Sequence, residues 1–373
     1  MKITGIEMIR IKSPDFPEPV YPAWAPGSTW ANRTVTVIRV TTDEGIEGWG
    51  QIYPGDEDKV RDVLTPMLVG KDPFAVEQHA RAFQNANGAW GVEIALWDII
   101  GKAAGVPLWK LWGGYRDRVP AYASCVETRT PDHRAEDARI AQSEGWRAMK
   151  LRLHDETMRQ DLAQVEAVRR AVGDEFAILV DANQAQQPGT PQPDEGPVWT
   201  YERAVQTARA LEQYGVFWLE EPLHRYDYDG LRRLCAAVDL TIAGGENNRG
   251  LHEFRTMIET DVYDLLQPEA LVSGTMTDLR KIASLAELHR KRVAPHHGNG
   301  GIGVVAHLHL ACAIPNGTYF EMLHEPPGMT TEAFQFYLEE PVRIDANGDL
   351  AAPNGPGLGV QPDMDKLAAY RVE

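Results

Sequence analysis

A chain of 373 residues with 43% hydrophobic and 24% charged side chains has the composition of an ordinary globular protein with one large domain or two smaller ones. Its formal net charge of −17 argues against nucleic-acid and anionic-membrane partners, because such partners require a basic surface. Three widely spaced cysteines without a CxxC pair argue against a disulfide scaffold or a zinc site. The polar N-terminus and the lack of a long apolar stretch favour a cytoplasmic protein without a membrane span.

The first 53 residues are β-rich. Alternating or β-branched segments at residues 2–12, 34–42 and 46–51 predict a three-stranded meander. The loop at residues 17–32, between the first two strands, is rich in Pro and Gly and carries Tyr21, Trp24 and Trp30. Such a loop is typical of a lid over a functional site. The alternative is that its aromatic side chains pack on the domain core.

Helical periodicity follows over residues 56–112, with a break at Gly105-Val106-Pro107. Residues 1–115 are therefore predicted to form an α+β domain that ends near Gly113-Gly114. Strands and helices then alternate over residues 116–342, and eight such units predict a (β/α) barrel of the TIM type. Residues 343–373 are predicted to be a tail that packs back on the first domain. The eight predicted strands lie within residues 119–126, 147–153, 176–183, 216–222, 240–247, 262–269, 292–297 and 318–323.

Three consecutive barrel strands end in an acid: Asp181, Glu220 and Glu246. The carboxyl ends of barrel strands meet at one face, so these side chains are predicted to converge on one cation. A single acid at a strand end is most often solvated or paired with a basic residue, but three in succession favour a metal site. Oxygen ligands in this number suit Mg²⁺ rather than zinc.

Other strand ends carry basic and amide side chains. Lys150 and Arg152 are two residues apart and therefore point to the same face of their strand. His154 is a further candidate at the same end of the barrel. The remaining candidates at strand ends are Asn183, Glu221, Asn247, Glu269, His296, His297 and Glu321.

Taken together, these segments resemble the mandelate racemase / muconate lactonizing enzyme branch of the enolase superfamily. The resemblance covers nearly the whole chain. The matching segments are KxR at 150–152, VDANQ at 180–184, LEEP at 219–222, GGEN at 244–247, QPE at 267–269, PHH at 295–297 and FE at 320–321.

The resemblance implies an α+β capping domain followed by a modified, seven- to eightfold (β/α) barrel. It implies Asp181, Glu220 and Glu246 as ligands of one Mg²⁺ per subunit. The catalytic residues that it implies are Lys150, Arg152, Glu269, His296 and Glu321. It also implies removal of the proton α to the carboxylate of a small substrate, and we expect a homo-oligomer. Side chains predicted to bind the substrate or to support the metal ligands are Trp24, His154, Asn183, Glu221, Asn247 and His297.

Two residues depart from the pattern of that branch. Arg152 replaces the second lysine of KxK, and Glu269 replaces the aspartate that pairs with the histidine. Arginine stays charged and binds carboxylates or hydroxyls, but it is a poor base. A base formed by His296 and Glu269 would act on one face of the substrate, which favours dehydration of a sugar acid to a 2-keto-3-deoxy acid.

Three alternatives stay open: a racemase or epimerase, a cycloisomerase, and a Mg²⁺-binding homologue without turnover. The lid contains no Lys or Arg between residues 19 and 32, which slightly favours monocarboxylic over dicarboxylic sugar acids.

Overall fold

The computed structural model describes residues 1–185 and 198–372. The chain begins with an antiparallel sheet of three strands, β1 (Ile3–Lys12), β2 (Thr34–Thr42) and β3 (Glu47–Ile52), in the order β1-β2-β3. The predicted meander is confirmed. Its central strand is rich in Val, Ile and Thr, whose β-branched side chains pack well on a pleated sheet.

Short helices follow the meander and cover one face of it. They are α1 (Glu57–Lys59), a π-helical segment (Val60–Leu64), α2 (Thr65–Leu68), α3 (Val76–Ala86), α4 (Val92–Ala104) and α5 (Leu108–Leu111). Helix α4 lies very close to β3, because a Cβ atom on Gly48 would stand only 2.0 Å from the carbonyl oxygen of Ala95. The predicted break between α4 and α5 is present: Gly105 has a φ of 68° and Pro107 follows it.

Eight parallel strands form the barrel, in the order β10-β9-β8-β7-β6-β5-β4-β11. The strands are β4 (Arg118–Ser124), β5 (Ala148–Arg152), β6 (Ala177–Asp181), β7 (Val216–Glu220), β8 (Thr241–Gly244), β9 (Leu265–Leu266), β10 (Arg292–Val293) and β11 (Phe320–Leu323). Val293 joins β10 to the segment before β11 through backbone hydrogen bonds with Asn316 (3.0 Å) and Thr318 (3.2 Å). The predicted barrel is confirmed, although β9 and β10 are shorter than their sequence segments.

Helices surround the barrel, and most of them begin at a residue whose side chain caps the first turn. Thr157 and Thr275 form reciprocal capping boxes with Gln160 and Asp278. The helices are α6 (Pro131–Glu144), α7 (Met158–Val172), α8 (Tyr201–Glu212), α9 (Tyr228–Ala237), α10 (Gly250–Glu259), α11 (Met276–Leu288), α12 (Gly301–Ala313), α13 (Thr331–Phe334) and α14 (Met364–Ala369).

The C-terminal residues contact both parts of the chain. Strand β12 (Asp349–Ala351) pairs antiparallel with β4, and the carbonyl oxygen of Tyr370 accepts a hydrogen bond of 2.9 Å from the backbone N–H of Lys12 in β1. The predicted boundaries at 115/116 and 342/343 stay predictions. The sequence also predicts a polar loop, rich in Pro and Gly, at residues 185–200, and most of it lies outside the described residues. Within the described ranges, no helix is long and apolar enough to cross a bilayer.

Glu93 in α4 makes the stability of the protein dependent on pH. Its side chain is buried and accepts a hydrogen bond of 2.9 Å from the backbone N–H of Thr277, and burial raises its pKa to about 7. The folded state therefore holds this proton more tightly than the unfolded chain. The resulting stabilisation is complete below the unfolded pKa, which is about 4.3. It is lost as the pH rises through the folded value.

The substitution Glu93→Gln removes this titration. We expect the free energy of unfolding of the variant, relative to the wild type, to rise by about 3–4 kcal/mol as the pH is raised through the titration range, since one pKa unit corresponds to about 1.4 kcal/mol. Urea denaturation at several pH values measures this difference. Glu175→Gln, at an exposed position, is the matched control and should show little change. A difference for Glu93→Gln that does not vary with pH would contradict the prediction.

Candidate active site

The side chains at the carboxyl ends of the barrel strands meet around Lys150. Its Nζ atom lies 2.9 Å from Oε1 of Glu220, 2.9 Å from Oε1 of Glu321 and 3.6 Å from Oδ2 of Asp181. All four side chains are buried. Strands β5, β6, β7 and β11 thus bring one ammonium group and three carboxylates into contact.

Arg152 lies beside this cluster and is held on several sides. Its guanidinium is hydrogen-bonded to the carboxylate of Asp181, to Oδ1 of Asn183 (3.1 Å) and to the backbone oxygen of Cys125 (2.7 Å). The ring of Trp24 from the lid lies over the guanidinium, 4.5 Å from ring centroid to Cζ. Burial lowers the pKa of Arg152, but Asp181 and other acids outweigh this effect and raise it, so the side chain stays a fixed cation.

His296 lies on the other side of the barrel, next to β10, and pairs with Glu269. Its Nδ1 is hydrogen-bonded to the Glu269 carboxylate, while its Nε2 lies 3.2 Å from Oε2 of Glu246 and 3.6 Å from Oε2 of Glu321. The second oxygen of Glu269 accepts a hydrogen bond of 3.0 Å from the hydroxyl of Tyr53. The longer side chain of glutamate thus reaches the histidine and fixes the ring orientation.

The acids hold both basic side chains in their charged forms. Burial lowers the pKa of Lys150, but Glu220 and Glu321 outweigh burial and keep it well above its usual value. Lys150 could act as a base if burial and the charge of Arg152 lowered its pKa. In this structure the acids outweigh both effects, so its pKa is not lowered. Burial likewise lowers the pKa of His296, and Glu246, Glu269 and Glu321 overcome this to raise it to about 10.

The surroundings of the three predicted metal ligands favour the uncharged forms of their carboxyl groups. Burial raises the pKa of Asp181, Glu220 and Glu246, that of Glu220 to about 7, and each is raised further by a neighbouring acid. Their ionised forms are therefore costly in the absence of added positive charge.

One group of three potential ligands in the described part of the chain has its ligand atoms within 4.8 Å of one another: Glu269, His296 and His297. Asp181, Glu220 and Glu246 do not form such a group; Lys150 pairs with the first two, and His296 pairs with Glu246. Two imidazoles and one carboxylate suit zinc or iron better than Mg²⁺. The hydrogen bond between His296 and Glu269 also occupies two of the three side chains. The oxygen-only set therefore fits Mg²⁺ better on chemical grounds.

The remaining predicted residues surround the centre. Nδ2 of Asn247 donates to Oε1 of Glu221 (3.1 Å) and to Oε1 of Glu246 (3.2 Å), so both residues lie around a predicted metal ligand. His154 is partly buried beside Asn183 and Arg152, and burial together with the charge of Arg152 lowers its pKa to about 4.

Strand alternation predicts that His297 points away from His296, and this prediction is wrong. The two rings lie 3.9 Å apart between centroids at an angle of 38°. Strand β10 ends at Val293, so the alternation of strand side chains no longer applies four residues later.

Two side chains at the site, Tyr53 and Trp218, are not among the predicted residues. Tyr53 orients Glu269, and Nε1 of Trp218 donates to Oε2 of Glu220 at 3.1 Å. Tyr53 is separated from its partner by 216 residues, so only the folded chain shows the contact. Trp218 lies two residues before Glu220 on β7, and strand alternation places both on the same face.

Comparison with known proteins agrees with this geometry. The model of the mandelate racemase / muconate lactonizing enzyme N-terminal domain matches residues 9–113, and that of the enolase C-terminal domain-like family matches residues 133–366. The chain belongs to the enolase superfamily. Within the superfamily, the N-terminal match places it in the mandelate racemase / muconate lactonizing enzyme branch.

Superfamily relatives of similar sequence differ in the reaction they catalyse. The chain is 36% identical to L-talarate/galactarate dehydratase of Salmonella typhimurium over 77% of this chain and 72% of the relative. It is 30% identical to 3,6-anhydro-alpha-L-galactonate cycloisomerase of Streptomyces coelicolor over 90% and 91%. A solved racemase from Streptomyces coelicolor with bound magnesium superposes with a TM-score of 0.85 at 27% identity, covering 99% of this chain and all of the other. These relatives are a dehydratase, a cycloisomerase and a racemase, so superfamily membership leaves the reaction class open.

Tyr53 is expected to be a positioning residue for His296. The substitution Tyr53→Phe removes the hydrogen bond to Oε1 of Glu269, and such a bond to a charged group contributes about 1.5–3 kcal/mol. We expect kcat to fall about tenfold or more while KM changes little, because the phenol contacts the glutamate and not the reacting atoms. Steady-state kinetics on an active substrate measure the effect. Tyr115→Phe, at an exposed tyrosine, is the control. An equal change in both variants, or a rise in KM alone, would contradict the positioning role.

Proposed function

We propose that this protein is a Mg²⁺-dependent dehydratase that converts a sugar acid to a 2-keto-3-deoxy acid. The observation that carries the proposal is the arrangement of proton carriers. His296 is held by Glu269 with its second nitrogen directed into the site, whereas Lys150 is enclosed by Glu220, Glu321 and Asp181. One side of the site is thus built to move a proton, and the other is built to hold charge.

Asp181, Glu220 and Glu246 would hold the Mg²⁺. Their oxygen donors suit this hard cation, and its charge relieves the cost of burying three carboxylates together. When bound, the metal stabilises the negative charge that develops on the substrate carboxylate as the α-proton leaves. A magnesium-containing relative with the same fold supports this assignment.

The side chains of this protein would perform the remaining steps. With Glu246 engaged by the metal, its ion pair with Nε2 of His296 would be lost, which lowers the pKa of the imidazole and frees this nitrogen to act as a base. Nε2 would then take the proton from the carbon next to the carboxylate and return it to the departing β-hydroxyl, which leaves as water. The resulting enol gains a proton at the β-carbon and loses its hydroxyl proton, which gives the keto product. Glu269 keeps the ring in one orientation for both transfers. Lys150 and Arg152 stay charged and bind the carboxylate or hydroxyl groups of the substrate. The ring of Trp24 over Arg152 limits the access of water from the lid side.

The second candidate function is racemisation or epimerisation. It is favoured by the position of Lys150 on β5, far from β10 in the strand order, because a proton carrier on each side of the substrate is what inversion requires. The three ion pairs of Lys150 weigh against this function, because they enclose its ammonium group, whereas His296 is held through Nδ1 and directs its other nitrogen into the site.

A panel of aldonic and aldaric acids with Mg²⁺ in D₂O tests the reaction class. We expect at least one acid to give a 2-keto-3-deoxy product, detected as the semicarbazone, and chelation of the metal to abolish product formation. Deuterium at the α-carbon of recovered substrate with inverted configuration, and no keto product from any acid, would instead show an epimerase. Neither product nor exchange across the panel would overturn both functions.

The substitution His296→Asn removes the proposed proton carrier and keeps a hydrogen-bond donor toward Glu269. We expect kcat to fall about 10²–10⁴-fold, which is the usual contribution of a general acid–base group. Loss of α-proton exchange, followed by NMR in D₂O, should accompany the loss of product. His133→Asn, at an exposed histidine of α6, is the matched control. Retention of α-proton exchange in His296→Asn would assign the base to Lys150.

A further inference from the structure

Arg33 is a cation near the candidate site that no carboxylate of the described residues neutralises within 4.0 Å. It lies one residue beyond the lid, just before β2, and is half-buried. Its guanidinium donates to Oδ1 of Asn299 and lies over the rings of Trp30 and Phe334, at 4.9 and 5.5 Å between Cζ and the ring centroids. Among the described residues its partners are one amide oxygen and two aromatic faces, fewer than five N–H donors can engage.

The contacts of Arg33 connect it to His296 through Asn299 and His297. The backbone N–H of Asn299 donates to Nδ1 of His297 at 2.9 Å, and the His297 ring lies 3.9 Å from that of His296. The Phe334 ring, which the guanidinium covers, lies 5.1 Å from the His297 ring. Arg33 therefore belongs to the wall of the site on the side of the histidines, formed jointly by the N-terminal region and the loop after β10.

This wall is rigid rather than adaptable. Nε2 of Gln51 donates to the backbone oxygen of Asn299 at 3.0 Å, and the hydroxyl of Tyr337 donates to Oε1 of Gln51. Asn299 is itself buried and adopts a φ of 59°. The acceptor that holds Arg33 is thus fixed from three segments of the chain, and the guanidinium has little freedom to swing toward solvent.

Arg33 differs from the other cations of the site in having no carboxylate within 4.0 Å among the described residues. Lys150 and Arg152 each lie against carboxylates of the protein, which balance them. A partly buried guanidinium without such a partner costs free energy, and an anionic ligand removes that cost. Arginine also binds carboxylates through two parallel hydrogen bonds, a geometry that hydroxyl groups match poorly.

We propose that Arg33 binds a second carboxylate of the substrate, at the end remote from the reacting carboxylate, so that the preferred substrates are dicarboxylic sugar acids. This inference rests on the proposed function, because it names the substrate class of the same site. The absence of basic residues between positions 19 and 32 slightly favoured monocarboxylic acids, and Arg33 reverses that preference. Arg33 directly follows the last residue of the lid and supplies the positive charge that the lid itself lacks.

Matched pairs of substrates test the proposal. Each aldaric acid is compared with the aldonic acid of the same configuration, for example galactarate with galactonate and glucarate with gluconate, in the presence of Mg²⁺. We expect the wild type to prefer the diacid. In Arg33→Met, the ratio of kcat/KM for diacid to monoacid should fall about 10- to 100-fold, the usual effect of losing a charge-assisted hydrogen bond. The ratio for Arg33→Lys should lie between those of the wild type and Arg33→Met. Arg10→Met, at an exposed arginine of β1, is the control and should not change the ratio.

Binding measurements separate this inference from the proposed function. Isothermal titration calorimetry of the same pairs on the Mg²⁺-loaded protein reports affinity without turnover. Tighter binding of the diacid that Arg33→Met abolishes would support the inference even if no acid were dehydrated. Dehydration with an unchanged diacid-to-monoacid ratio in Arg33→Met would overturn the inference and leave the function standing. An equal loss for both acids, with an unchanged melting temperature, would also overturn it, since Arg33 would then act on the whole site.

Discussion

The burial of several charges at the ends of the barrel strands is the constraint on which the rest of this structure depends. Lys150 and Arg152 balance Asp181, Glu220 and Glu321 through direct ion pairs. Removing one member of such a group leaves an uncompensated charge in a poorly hydrated environment, which costs several kcal/mol. The site therefore behaves as one electrostatic unit, and a change at any member alters the protonation of the others.

The N-terminal region completes the unit without supplying acids to it. Trp24 covers Arg152, Tyr53 holds Glu269, and Arg33 reaches the loop after β10 through Asn299. The barrel thus provides the proposed proton carrier and the proposed metal ligands, while the N-terminal region provides orientation and the proposed contact with the far end of the substrate. This division allows the substrate preference to change without rebuilding the buried charges.

Sequence patterns predicted what is local and missed what is distant. Asp181 and Glu220 end apolar runs and Glu246 follows one, and strand alternation places Lys150 and Arg152 on one face, so the convergence of these residues follows from the barrel alone. The stacking of His297 on His296 was not predictable, because β10 ends before them. Arg33 and Asn299 are 266 residues apart, and no periodicity reports such a contact. The same holds for Tyr53 and Glu269.

Glu269 is a residue that the sequence identifies, but its action on His296 depends on a contact that only the structure shows. A glutamate has one more rotatable bond than the aspartate expected there, and therefore holds a histidine less firmly unless its second oxygen is also fixed. The hydroxyl of Tyr53 fixes that oxygen, and burial together with the neighbouring Glu269 keeps the pKa of Tyr53 well above its usual value, so that the phenol remains a donor. Because Tyr53 follows β3, the orientation of His296 depends on the docking of the N-terminal region against the barrel. In the proposed mechanism, proton transfer by His296 is therefore tied to this docking through the hydrogen bond from Tyr53 to Glu269.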